Sequence, residues 1–358
     1  MLTILDRYII KKFLGTYIFS IALIISIAVV FDFNEQLDKF LKNEAPPTAI
    51  IFDYYKNFIP YYVNLFSALF VFISVIFFTS KLADNSEIIA MLSTGMSFRR
   101  LMKPYMISAA VIAIISFALT SFIIPPANKT RISFQNKYIR NKEVTSANRI
   151  QVQIEPGVIA YFNSFNNKEK MGYYFSLDKF EGQALASRLT ATRIRHDSLY
   201  HWTLFDYSIR TFTETREHIT TGNQKDTILT IVPTDFLISA NDFEQMTSPE
   251  LYKHIQRQKE RGIGNVQAFE IEYHKRFASI VSAFVLTIIG AALSSRKIKG
   301  GMGLNIGIGL LLSVSYILFM TISSTFAVSG MVSPFIAAWI PNILFAGIAA
   351  YLYRKAPN

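Results

Sequence analysis

The stretch from Lys81 to Pro104, KLADNSEIIAMLSTGMSFRRLMKP, is a charged segment between two long hydrophobic runs, and we call it the handle. Asp84 and Glu87, three residues apart, are typical of a capped helix start. Gly95 is typical of a helix stop. The handle therefore predicts a short helix near residues 85–94.

One face of this predicted helix is apolar, because Ile88, Met91 and Leu92 recur at helical spacing. A helix this short is marginal by itself in water, so we expect its apolar face to dock on another surface. Glu87 in its first turn has two interpretations: it caps and solvates the helix, or it meets an arginine of a partner protein. The local pattern favours neither.

The composition of the 358-residue chain is that of a membrane protein, with 51% hydrophobic residues and a mean hydropathy of +0.30. The apolar residues lie towards both ends and leave a polar middle from about Pro125 to Arg276. The net charge of +11 comes from basic clusters beside the hydrophobic runs, which indicates membrane topology rather than nucleic-acid binding. The lack of cysteine excludes disulfides and cysteine-based metal sites.

Six uncharged runs are each long enough to cross about 30 Å of hydrocarbon as a helix. A cleaved signal peptide is the alternative for the first run, but its length favours a retained anchor. The expected domains are residues 1–124 with spans one to three, residues 125–276, and residues 277–358 with spans four to six. The predicted spans are Phe13–Phe31, Phe58–Ser80, Tyr105–Ile124 (ending at Pro125-Pro126), Phe277–Ser295, Leu304–Val328 and Phe335–Tyr353.

The polar middle is predicted to be rich in β-strands, because apolar residues alternate with polar ones from Ile150 to Ile154. Short strands at such spacing are typical of an antiparallel sandwich or a jelly-roll-like sheet. A helix should follow from Ser248, as its cap, towards Gly262. The further predicted strands are Val158–Phe162, Tyr173–Leu177, Leu189–Ile194, Trp202–Ile209 and Ile228–Val232, with Gly222-Asn223 as one of the turns between them.

The distribution of basic residues predicts the orientation. The segments expected inside the cell carry three, four, three and two Lys or Arg residues, whereas the two short outer loops carry three and none. By the positive-inside rule, both termini and the handle are expected in the cytoplasm and the β-rich domain on the other side. One inner segment is the loop with Arg296, Lys297 and Lys299.

Motifs for chemistry are missing from the sequence. It contains no G-x-x-x-x-G-K-[ST] loop for nucleotide phosphates, and its five histidines have no metal-ligand spacing. We therefore expect no catalytic residue, no metal and no cofactor. The predicted spans contain no Asp, Glu, Lys or Arg, although ion-coupled carriers use such residues inside the membrane. The energy for any transport should therefore come from another protein.

The chain resembles the YjgP/YjgQ family of lipopolysaccharide-export permeases, the LptF/LptG subunits of an ABC transporter. The resemblance covers essentially the whole chain and is most specific in the handle (SEIIAMLSTGMSFRRLMKP) and in Glu270 to Arg296 (EIEYHKRFASIVSAFVLTIIGAALSSR). It implies a bacterial inner-membrane protein with six helices and a periplasmic β-jellyroll. Two related permease subunits would sit on a dimer of a cytoplasmic ATPase and pass lipopolysaccharide to a periplasmic bridge protein.

The resemblance also implies roles for single residues. Glu87 matches the acidic residue of the coupling helix that engages the ATPase, and Gly95 matches the end of that helix. Spans one and five line lateral gates in the family, which agrees with the small residues of Leu304–Val328. The basic residue that some members carry at the outer end of span one is missing at Phe31. The ATPase is expected to meet Glu87, Ile88, Met91, Leu92, Gly95 and Arg99, and the lipid to meet Phe31, Lys39, Lys42, Ser313, Tyr316 and Phe319.

Two other classes of function fit parts of the pattern. A mechanotransmission or signalling protein with a periplasmic sensor domain would transport nothing, and a sealed helical bundle would support it. A membrane enzyme acting on lipid is disfavoured, because no acid–base or metal cluster lies in or near the spans.

Overall fold

In the computed structural model, the chain is described for residues 3–140, 146–213, 216–233, 242–260, 266–295 and 301–356. It divides into two compact units. The first, the membrane unit, comprises residues 1–139, 243–251 and 267–358, and the second comprises residues 140–242 and 252–266. The loop predicted to carry Arg296, Lys297 and Lys299 lies outside the described residues.

Helices dominate the membrane unit, and six helical stretches in the described residues are long and apolar enough to cross a membrane. The prediction of six spans, three on each side of a β-rich insertion, is confirmed. The α-helices of both units, with α7 mostly in the second, are α1 (Ile4–Lys42), α2 (Pro47–Ala49), α3 (Lys56–Asp84), α4 (Glu87–Ser93), α5 (Phe98–Ala118), α6 (Ile124–Phe134), α7 (Ser248–Glu260), α8 (Val266–Ser294), α9 (Gly301–Val328) and α10 (Pro334–Arg354).

The predicted helix end at Pro125-Pro126 is wrong. A π-helical turn over Leu119–Ile123 joins α5 to α6, and a second over Gln135–Arg140 follows α6, so the chain stays helical to Arg140. Both prolines lie just after the first π-helical turn. Such a local adjustment lets a membrane helix continue past proline, so the missing N–H groups do not end this helix.

The interior of the membrane unit is built around α3 and α8. Gly290 of α8 lies against Val75, since a Cβ added to it would come within 3.0 Å of that side chain. Gly309 of α9 lies against Ile76 in the same way, so close that any Cβ would collide with it. These contacts agree with the use of small residues for close helix packing. By contrast, α1 and α9 are the least buried of the six spans.

The second unit contains one six-stranded antiparallel sheet, in which the strand order follows the chain. The β-rich domain is thus confirmed, and the described strands form a meander. Its core centres on Trp202, whose Nε1 donates to the carbonyl of Ile231 at 3.2 Å, and on Phe162 and Phe175. The strands are β1 (Ser146–Glu155), β2 (Val158–Asn166), β3 (Met171–Glu181), β4 (Ala184–Ser198), β5 (His201–Phe212) and β6 (Glu217–Ile228).

The sixth strand differs from its prediction. The apolar run Ile228–Val232 is not a strand except for its first residue, and the predicted turn Gly222-Asn223 lies inside β6. Nearly all side chains of β6 are exposed, so this strand needs no apolar alternation. Gly222 pairs with Tyr207, whose ring lies where a Cβ would be, and such a close approach is typical of glycine within a strand.

Helix α7 begins at Ser248 as predicted, but another residue caps it. Thr247 precedes the helix, and both its N–H and its hydroxyl donate to Glu250 Oε2, at 2.9 and 2.8 Å, which includes the bond of a capping box from the N-cap N–H to the third helical residue. Ser248 instead accepts a hydrogen bond from a buried arginine of α8, Arg276. The predicted helix end at Gly262 lies outside the described residues.

Candidate functional site

The handle is a tight helix–turn–helix–turn–helix segment. Asp84, predicted near the start of its short helix, is the last residue of α3. Ser86 then adopts a left-handed conformation with φ +60°, which reverses the chain sharply enough for α4 to begin at Glu87. Gly95 follows α4 with φ +84°, the conformation expected at a helix stop. Ser97 caps α5 by accepting from the N–H of Arg100 at 3.3 Å.

The apolar face of α4 docks on this chain itself. Ile88 is fully buried, and Met91 and Leu92 pack against the same hydrophobic cluster, which includes Leu82 and Phe98. Ile88, Met91 and Leu92, which the resemblance implies for the ATPase contact, thus lie on the inner face of α4. Its outer face carries Ile89, which is 52% exposed, followed by Ala90 and Ser93.

The charged residues of the handle differ in their surroundings. The Glu87 carboxylate is half-buried and accepts from the Tyr8 hydroxyl at 3.1 Å and from Asn85 Nδ2 at 3.2 Å. Arg99 is exposed. Its neighbour Arg100 turns inward and binds Asp6 of α1 with both terminal nitrogens, at 2.7 and 2.8 Å.

A cleft of about 490 Å³ lies in the membrane unit, at the end of the bundle opposite to the handle. Its walls come from α3, α6, α8 and α9, together with the segment that precedes α7. Apolar side chains such as Leu65, Ile317 and Met320 form one part, and Glu272, Lys275 and other charged groups form another. The cleft therefore has the amphipathic lining that a molecule with a charged head and an apolar body requires.

Two buried arginines fix the segment 243–248 beside this cleft. Arg276 of α8 donates to the carbonyl of Phe243 and to Ser248 Oγ, both at 3.1 Å, and faces Glu272 at 3.4 Å. Arg131 of α6 stacks on the ring of Tyr61 at 4.3 Å and donates to Asn128. Asn128 in turn donates to the carbonyl of Glu244 at 3.3 Å.

The sequence alone indicates no role for these arginines. Arg276 is the residue directly before the predicted span four. A signal was present: Glu272 and Arg276 are spaced i, i+4 at the start of an apolar run, which is the spacing of a helical ion pair. Nothing local indicates that the same guanidinium also binds Phe243, because that contact joins residues far apart in the chain.

The residues predicted to contact lipid are spread over the membrane unit. Tyr316 lines the cleft, and its hydroxyl donates to Asn342 at 3.0 Å. Ser313 is buried in the bundle and Phe319 is half-buried, and neither lines the cleft. Phe31 is 72% exposed on α1. The remaining two, Lys39 and Lys42, are exposed at the end of α1, where Lys39 donates to Gln36 at 2.9 Å.

Comparison with known families gives one match over nearly the whole chain. The family described as lipopolysaccharide export system permease LptF/LptG matches residues 7–355. A comparison with curated protein sequences finds no match.

Proposed function

The chain belongs to the LptF/LptG family of lipopolysaccharide export permeases, and from this premise we propose that it works as one of two related permease subunits driven by a separate cytoplasmic ATPase. The family and the six apolar helices make it a multi-pass inner-membrane protein and a transporter subunit. In the proposed cycle, lipopolysaccharide leaves the outer leaflet of the inner membrane through this subunit pair and passes to a periplasmic bridge protein.

The cleft is the observation that carries the proposal. Its apolar wall, with Leu65, Ile317 and Met320, suits acyl chains. Its charged part includes Lys275, which can meet an anionic headgroup, beside Glu244 and Glu272. An open amphipathic cleft favours transport over the alternative of a sealed signalling bundle, which would transport nothing.

The handle supports the proposed ATPase contact. Because Ile88, Met91 and Leu92 are held by the chain itself, α4 can present its outer face without melting. We assign the contact to that outer face, with Ile89 as its apolar centre and Glu87 and Arg99 as charged neighbours. This contact requires both termini and the handle in the cytoplasm and the sheet in the periplasm, as the positive-inside rule predicts.

The two least buried spans support the proposed pairing with a second permease subunit. Exposed apolar side chains follow α1 from Ile18 to Phe31 and α9 from Leu311 to Leu318. Gly307 of α9 has open space around it, whereas Gly309, half a turn further, is packed against α3. Such an apolar and locally flat face suits close packing with a helix of the partner subunit. In the proposed gate, the two helices slide along each other.

Filling the cleft tests transport directly. Thr321→Trp places a large ring at an exposed position in the lining of the cleft, whereas Ile343→Trp places it at an exposed position of α10, outside that lining. In the reconstituted complex, Thr321→Trp should lower lipopolysaccharide release to detergent micelles at least roughly tenfold with ATP hydrolysis retained, because it removes volume needed for the lipid. Ile343→Trp should release lipid normally. Equal release by both variants would contradict the role of the cleft.

Reversing the charge at Glu87 tests the ATPase contact. Glu87→Arg should abolish co-purification of the ATPase, because like charges would then face each other. Asp84→Arg makes the same change at an exposed site outside α4, and the ATPase should still co-purify. If ATPase association and lipid release both survive Glu87→Arg, the assigned contact is wrong.

A further inference from the structure

The first turns of α1, residues 3–13, are joined to the handle at two points, and we call them the foot of α1. The first point is the ion pair of Asp6 with Arg100, two residues 94 positions apart in the chain. The second is the hydrogen bond from the Tyr8 hydroxyl to Glu87, across 79 positions. One point thus holds the start of α5, and the other holds the start of α4.

The ion pair at the first point is nearly closed to solvent on the acidic side. Asp6 is 1% exposed, and its two carboxylate oxygens accept from both terminal nitrogens of Arg100 and from the N–H of Thr3. Arg100 also donates to Thr3 Oγ1 at 3.3 Å. A bidentate arginine–carboxylate pair fixes direction as well as distance, so α1 cannot rotate about its axis without breaking it.

Apolar contacts fill the space between the two points. Ile9 and Phe13 are buried in the same cluster as Ile88 and Phe98 of the handle. Asp6, Ile9 and Phe13 follow the i, i+3, i+7 spacing of one helix face. A single face of the foot therefore carries the ionic and the apolar contacts with the handle.

Beyond the foot, α1 is exposed along one side and keeps contacts with the bundle along the other, where Asp32 accepts hydrogen bonds from the hydroxyls of Tyr54 and Tyr55. The helix continues without a proline to Lys42, and the exposed apolar side chains from Ile18 to Phe31 follow the foot. At the helical rise, Phe31 lies roughly 37 Å from Asp6 along the axis. A movement of the foot is thus carried along one continuous helix to these contacts, which join the far part of α1 to the residues just before α3.

We propose that the foot of α1 is clamped to the handle so that a movement of α4 is transmitted to α1 as a rigid body, with Asp6, Arg100 and Tyr8 as the positioning residues. The inference rests on the proposed function, in which an ATPase moves α4.

The test is the amount of lipid released per ATP hydrolysed by the assembled complex. Tyr8→Phe removes one hydroxyl and no packing, and Arg100→Gln removes the bidentate pair. Lipid released per ATP should fall about twofold to threefold in Tyr8→Phe and roughly tenfold in Arg100→Gln, because a single hydroxyl–carboxylate hydrogen bond contributes less than a bidentate arginine–carboxylate pair. ATPase assembly and the hydrolysis rate should stay within about twofold of the unaltered complex, because the outer face of α4 is untouched.

The matched control is Arg7→Gln, which removes an exposed arginine next to Asp6 and should leave the amount of lipid released per ATP unchanged.

A distance measurement gives a readout that loss of stability alone would not produce. The chain has no cysteine, so spin labels can be attached uniquely at Arg7→Cys on the foot and Thr94→Cys after α4. In the complex, the distance between the labels should be single and should not change when a non-hydrolysable ATP analogue binds. Adding Tyr8→Phe and Arg100→Gln should broaden it or make it depend on nucleotide.

Each outcome decides between the inference and the function on which it rests. If the unaltered chain assembles with no ATPase, the proposed function is overturned and the clamp has nothing to transmit. If the unaltered complex is active and the double variant keeps its lipid-to-ATP ratio, only the clamp is overturned. A label distance that changes with nucleotide in the chain with an intact clamp also overturns it, as does loss of ATPase assembly in Tyr8→Phe.

Discussion

Replacing Arg276 by methionine should loosen the segment 243–248 and leave the helical bundle intact. Methionine keeps most of the buried volume of the side chain but has no donor. The change therefore removes the hydrogen bonds to the carbonyl of Phe243 and to Ser248 Oγ, and the contact with Glu272. These acceptors lie at the start of α7 and in the turn before it.

The expected magnitude follows from the burial of the arginine. Its side chain is 2% exposed, and removing one partner of a buried ion pair costs roughly 3–5 kcal/mol. Glu272 keeps 22% exposure and lies 3.4 Å from Arg276 Nε, so water can solvate part of its charge. We therefore take the lower limit, about 3 kcal/mol, which is roughly a hundredfold in a local opening equilibrium.

Hydrogen–deuterium exchange in lipid nanodiscs measures this opening. In Arg276→Met, amides of residues 243–251 should exchange roughly a hundredfold faster, and amides of α3 and α9 should keep their protection. The control is Lys275→Met, which removes a neighbouring charge without touching these hydrogen bonds and should change neither region. Unchanged exchange at 243–251, or an equal increase throughout the bundle, would refute the assignment of Arg276 as the anchor of this segment.

Two further predictions concern packing and capping. Gly309→Ala should lower the thermal unfolding midpoint, because the new methyl group collides with Ile76 at a cost of about 1–3 kcal/mol. Gly307→Ala lies in open space and should raise the midpoint, because alanine gains up to ~1 kcal/mol in helix propensity. Equal midpoints for the two variants would contradict this prediction. The hydrogen bonds from the N–H and hydroxyl of Thr247 lower the pKa of Glu250 below its ordinary value of 4.5. The stabilisation of α7 by the Glu250 carboxylate is therefore fully present above about pH 4.5 and is lost as the pH falls through the lower pKa of the folded state. Amide protection in α7 should show this acid loss in the parent and not in Glu250→Gln, and a parallel loss in both would contradict it.

Hydropathy and charge predicted the membrane part of the fold well, for a physical reason. Backbone N–H and C=O groups find no water to bond in hydrocarbon, so a long uncharged run forms a helix, which pairs these groups internally. The sheet was less predictable. Its sixth strand is mostly polar, with Ile219 and Ile228 exposed, because it covers no core, and the apolar run after it fills the core without continuing the ladder. Leu229 and Ile231 are buried in the cluster around Trp202, although neither lies within a described strand.

The candidate site was predictable only in part. The spacing of Ile88, Met91 and Leu92 gave the apolar face of α4 correctly, but a pattern on one helix cannot tell whether its partner is another protein or the same chain. Here the partner is the chain's own core. Glu87 was selected for its place at the helix start. Its bond to Tyr8, like that of Arg276 to Phe243, depends on a tertiary contact that no local pattern encodes.

The positions of the charged groups explain how such a bundle can be driven from outside. The predicted spans carry no Asp, Glu, Lys or Arg, and the buried charges lie just beyond them, Asp6 at the handle end and Arg131 and Arg276 at the opposite end. Burying a charged side chain in the middle of a span costs far more free energy than placing it at an end, where water and hydrogen-bond partners are near. A continuous helix moves as one body, so holding its ends is sufficient to set the position of an uncharged middle. The charged residues that hold the helices in position can therefore lie entirely in the helical turns just outside the predicted apolar spans.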